Sequence, residues 1–122
     1  SAMGQEHFKP SVVRDPQELR RLHAHLEKID LATFEANRVV LARTIGRIDG
    51  AHMKRLASMA AAARANWVNE ALVISERGVA PDEKQVEHLA LLRKTFLELS
   101  ESYEAMRRMV ERGYLCYLDT AE

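Results

Sequence analysis

The chain predicts an all-α fold: an elongated antiparallel helical hairpin of coiled-coil character, with a shorter helix at its N-terminal end. Three observations carry that expectation. Apolar residues recur at alternating steps of three and four over long stretches, the spacing that lines one face of a helix. Glycine and proline number only five and three in 122 residues, and most of them separate the periodic runs. No segment alternates apolar and polar residues; "VVLA" and "ALVI" are short and embedded in helical pattern.

The opening "SAMG" reads as an expression scar, and the following "HFKPSVV" has no period. Residues 1–14 are therefore taken as scar and mobile arm, and 15–122 as a single helical domain. "RDPQE" then has the form of a helix start, with Asp15 as cap, Pro16 at the first helical position and Glu18 three residues after the cap. Leu19, Leu22, Leu26 and Ile29 follow at heptad spacing, which gives a helix over 16–29.

Asp30 is a candidate cap for the next helix, with Ile29 and Phe34 placed as a hydrophobic staple. From there Phe34, Leu41, Ile45, Ile48, Leu56, Met59, Ala63, Trp67 and Ile74 align on one face, straight through Asp49-Gly50. The expectation is one long helix over 31–77, weakened near 46–50 at a cost of about 1 kcal/mol per glycine. Neither flank of the Asp-Gly pair looks like a helix terminus on this reading: Gly46 stands where an apolar contact is wanted, and His52 lacks a good cap. The alternative is a four-helix bundle broken near 49–50.

"ISERGVAPDEK" is a sharp turn. Gly78 suits the left-handed residue after a helix, Val79 is placed to touch Ile74, and Pro81, Asp82 and Glu83 open a helix with acidic residues at its positive end. The stripe Leu89, Leu92, Phe96, Leu99, Tyr103, Met106 and Val110 runs to a second stop at Gly113, a helix over 82–112. A hairpin turning at 78–81 sets Ala60 and Ala63 against Phe96 and Leu99, small against large, and Trp67 against Leu92.

His52 lies on the apolar stripe between Ile48 and Leu56, near Tyr103 across the hairpin. This reading makes it a mostly buried structural residue with a hydrogen-bond partner, because an unsatisfied buried imidazole is expensive. The sharper reading is a histidine phosphotransfer module using His52 and Lys54. Such modules are helical bundles of similar size with a histidine followed by lysine and glycine, but Leu56 stands where glycine is wanted.

Other chemistry lacks its residues. No histidine has a glutamate three positions before it, the spacing of metal sites in helical bundles. The rings of His23 and His25 diverge by about 200° on a helix. Glu70 and His88 offer at best two ligands, and Cys116 has no adjacent histidine or second cysteine. There is no glycine-rich phosphate loop. No enzyme, cofactor or metal is expected.

Eighteen basic and eighteen acidic residues cancel, whereas nucleic-acid binders draw most of their affinity from a basic face. Arg20-Arg21 and Arg107-Arg108 have Glu18, Glu27, Glu104 and Glu111 at helical spacing, so these faces read as solvated ion pairs. No nucleic acid is expected, although a nucleic-acid-associated helical protein stays as a second alternative. The most apolar run, Met59 to Val68, is interrupted by Arg64 and Asn66, so no membrane span is expected. A lone cysteine excludes an internal disulfide and suits a reducing, cytoplasmic setting.

The resulting expectation is a non-enzymatic protein–protein interaction module: an adaptor, an export-chaperone-like protein or an oligomerisation element. Its partner is another protein. A helix of 31–77 would span about 70 Å against about 47 Å for 82–112, leaving Phe34, Leu41 and Ile45 uncovered, so a homodimer is also expected. In the tail "GYLCYLD", Tyr114, Leu115, Tyr117 and Leu118 crowd four large apolar side chains into five positions. Together with Phe34, Leu41 and Ile45 they form the candidate partner-binding set, the tail folding back as a lid on the core or serving as a recognition surface.

Overall fold

The structure is a computed structural model that describes residues 15–119. The expected arm over 1–14 lies outside the described residues. Among the described residues three helices and two short strands follow in the order α1 (Pro16–Thr44), β1 (Arg47–Asp49), α2 (Gly50–Glu76), α3 (Glu83–Glu111) and β2 (Cys116–Leu118). The fold is all-α in class, and the chain divides into two compact units that meet in sequence at Val39 and Val40.

The helix that begins at Pro16 does not stop at Ile29. α1 runs unbroken through Asp30 for 29 residues, so the expected boundary there is corrected. The stretch 27–34, "EKIDLATF", contains neither glycine nor proline, and an aspartate inside a helix costs only tenths of a kcal/mol, roughly, relative to good helix formers. A cap-like residue does not end a helix whose flanks still propagate it.

The break comes instead at 45–49, and the continuous helix of 31–77 is corrected with it. The amides of Ile45 and Gly46 both donate to the Leu41 carbonyl, at 2.8 and 3.0 Å, and Gly46 takes φ +82°. That left-handed conformation strains any residue with a Cβ, so glycine ends the helix here. Asp49, in extended backbone, then starts α2. Its carboxylate accepts the His52 amide at 3.0 Å, while its own amide donates to His52 Nδ1 at 3.1 Å. This is a capping box with histidine in the role usually taken by glutamate or glutamine. Caps on both sides of the break satisfy the amides and carbonyls that a continuous helix would otherwise have bonded, so little is lost by breaking it.

α2 and α3 form the expected hairpin. Gly78, at φ +72°, ends α2 with its amide on the Ser75 carbonyl at 3.2 Å. Val79 is 69% exposed, so it gives Ile74 little of the expected cover. Asp82 caps α3 through a second box, its carboxylate and amide each 2.8 Å from Gln85. Gly113, at φ +78°, ends α3 in the same manner as Gly78, with Tyr114 donating to the Met109 carbonyl at 2.9 Å.

After that stop the chain makes a strand that sequence periodicity did not reveal. β2 pairs in parallel with β1, Arg47 against Cys116, Ile48 against Tyr117 and Asp49 against Leu118. Among the described residues the buried apolar set is small: Ile48, Ala60, Ala63, Ile74 and Leu115.

Candidate functional site

Across the hairpin the two helices present the same short pattern to each other. "RANW" on α2 and "RKTF" on α3 each carry an arginine three residues before an aromatic residue, one turn apart on one helix face. The Trp67 and Phe96 rings stack at 5.9 Å between centroids. Arg64 lies 5.6 Å above the Phe96 ring, and Arg93 lies 5.9 Å from the Trp67 ring. Cation and ring thus alternate along a four-membered chain in which each arginine comes from the helix opposite its ring. The partner of Trp67 in this stack is Phe96, one turn beyond the expected Leu92.

Ala60 and Ala63 are buried, and two grooves flank the seam they make with α3. One, of about 170 Å³, is lined by Ala60, Phe96 and Tyr103 among others; the other, of about 300 Å³, by Met59, Ala63, Leu92 and Leu99. The small-against-large expectation for Ala60 and Phe96 agrees with this placement. Tyr103 borders the first groove, and the hydrogen bonds of His52 go to Asp49 instead.

His52 is not a core residue. Its side chain is 48% exposed, which corrects the buried placement, although a hydrogen-bond partner is present as expected. Its position at the third residue of α2 explains both facts: the ring must bend back over the helix start to reach Asp49, so it lies at the surface. In the neutral ring Nδ1 accepts the Asp49 amide. In the protonated ring the same nitrogen becomes a donor to Asp49 Oδ1, 3.0 Å away. The Asp49 carboxyl is held below the ordinary carboxylate range, chiefly because it accepts the His52 backbone amide, with the charges of His52 and Arg55 adding to the effect. The missed signal was "DGAH", an aspartate followed three residues later by a side chain able to return the bond. Lys54 is exposed two residues on.

The tail residues divide. Leu115 is 4% exposed and Ile48, on the strand that pairs with the tail, is 5% exposed. Tyr114 and Leu118 are half-buried, while Tyr117 is exposed. Leu41 is half-buried and Ile45 exposed at the end of α1. Phe34 belongs to the first unit, half-buried, with the Arg38 guanidinium 5.7 Å from its ring centroid. The structure ties the tail to 47–49 by backbone pairing.

In the first unit every residue from Asp15 to Thr33 is exposed, and Leu19, Leu22, Leu26 and Ile29 are among them. The sequence singled out these four for their spacing but assigned them no partner.

Among the described residues no three histidine, cysteine, aspartate or glutamate side chains converge as metal ligands. No helix there is long and apolar enough to cross a membrane. Comparison with protein-family models, curated proteins and solved structures gives no match.

Proposed function

We propose that the chain is a non-enzymatic helical protein-interaction module of the cytoplasm, an adaptor, export-chaperone-like protein or oligomerisation element. The observation that carries this reading is the exposed apolar stripe Leu19, Leu22, Leu26 and Ile29 on α1. Large side chains at heptad spacing are the surface that another helix packs against, and leaving them in water forfeits their burial energy. Immobilised chain should capture a protein from extract of its native host. Replacing Leu22→Glu together with Leu26→Glu should abolish that capture while the thermal transition stays unchanged. Capture indifferent to both substitutions overturns the reading.

The phosphotransfer alternative gains one observation, the exposed ring of His52 with Lys54 nearby. The chemistry weighs against it. The nitrogen that carries the free electron pair in the neutral ring is Nδ1, and Nδ1 is occupied by the Asp49 amide. A nucleophile must give up the bond that starts α2. Incubation with a small phosphodonor should leave the chain unmodified; a stable phosphohistidine at this position restores the alternative. Retention of nucleic acid on the purified chain would favour the other alternative, a nucleic-acid-associated protein.

A further inference from the structure

The heptad face of α1 carries more information than its leucines. With Leu19 and Leu26 at one seam position and Leu22 and Ile29 at the other, the residues flanking the seam are Glu18 and His25 on one side and His23 and Asp30 on the other. All are exposed in the chain. We propose that this part of α1 pairs with the same part of a second copy of the chain, parallel and in register, and that the pairing tightens on acidification. The proposal rests on the interaction-module reading and names its partner.

Charge complementarity selects both the partner and the orientation. In a parallel pair, each flanking residue meets the one about five positions further along the second helix, on the opposite flank. Glu18 therefore meets His23 of the second copy, and His25 meets Asp30 of the second copy. Twofold symmetry makes each contact twice. Both histidines of "HAH", which cannot share an ion on one helix, thereby acquire a carboxylate across the seam. An antiparallel pair that overlaps the same four apolar side chains turns about Ala24, and brings His23 and His25 toward their own copies instead. A different helix as partner has no reason to match this alternation.

A protonated imidazole makes each of these contacts ionic where a neutral one leaves it merely polar. On its own helix His23 has Arg20 and Glu27 one turn away, and His25 has Arg21 and Lys28. Arg21 and Lys28 repel the charge on His25 that Asp30 of the second copy attracts. Glu18 of the second copy and Glu27 together outweigh Arg20 at His23.

Sedimentation equilibrium of the full chain at about pH 5.5 and about pH 7.5 tests this. The expected result is a mass of twice the chain mass, with association about tenfold tighter at the lower pH. Leu22→Glu with Leu26→Glu should give a monomer of unchanged helix content. At the higher pH, E18K and H23E chains should associate better mixed than either does alone, because the swap restores opposite charges only between unlike chains. A monomer at high micromolar concentration, equal association at both pH values, or a mixture no better than its parts overturns the proposal. A monomeric wild type whose capture of a host protein still needs Leu22 and Leu26 overturns self-pairing alone. Capture indifferent to those leucines overturns the module reading beneath it.

Discussion

Trp67 and Phe96 face each other across the hairpin with 5.9 Å between ring centroids and 21° between ring planes. Each ring has on it an arginine from the helix opposite. The pair helps set the register of α2 against α3, because large side chains of both helices meet here beside the buried Ala60 and Ala63.

Removing one ring should therefore cost more than its own burial. Phe96 is half-buried, so Phe96→Ala should destabilise by about 2–3 kcal/mol, below the 3–5 kcal/mol typical of enclosed aromatics. A double-mutant cycle with Trp67→Ala should give a coupling of about 0.5–1.5 kcal/mol. Denaturant melts of the four chains measure it, and zero coupling removes the stack from the account.

The Asp49–His52 cap should appear in the pH dependence of stability. Because the folded carboxyl is held below its ordinary range, its contribution is present above about pH 4 and fades as the pH falls through the folded value. Asp49→Ala should lower the melting temperature at neutral pH, and its gap from wild type should narrow in acid. His52→Gln should be nearly neutral, since Gln85 closes the same box on Asp82, whereas His52→Ala should not. Circular-dichroism melts across the pH range decide this; a gap that widens in acid sinks the assignment.

How much of this was legible in the sequence follows from the range of the forces involved. The hairpin turn, its two glycine stops and the cap at Asp82 are local, and residues within a few positions specify them. Gly46 and Asp49 were equally local but were weighed against an apolar stripe that ran through them. The stripe was real for α2, where Ala63 and Ile74 are buried, but N-terminal to the break Ile45 is exposed and Phe34 and Leu41 are only half-buried. His52 lies outside the core for the same reason, since a face defined by a continuous helix loses its meaning at a helix start. The strand pair was hidden for a different reason. Three residues at 47–49 and three at 116–118 meet only because the hairpin returns the chain, and no period-two pattern fits in so few positions.

The tail folds against the body through that pairing, and its removal should show it. Deleting residues 114–122 takes away Leu115 and uncovers Ile48, so the thermal midpoint should fall. Leu115→Ala alone should cost about 2–4 kcal/mol, as for other enclosed leucines. Stability preserved in both, with partner capture lost, would make the tail a recognition surface instead of a lid.

Because β1 and β2 run side by side, with Arg47 opposite Cys116 and Asp49 opposite Leu118, the chain enters and leaves the hairpin at neighbouring points, about 8 Å apart from one strand spacing and two residues of rise. The segment from Arg47 to Leu118 is therefore closed in space although open in sequence. Its order of elements is a convention of where the chain happens to be cut: α3 followed by α2, joined through a short bridge at the strand end and opened at 79–80, describes the same packing. Its ends therefore have the close spacing that seating within a surface loop of another protein requires.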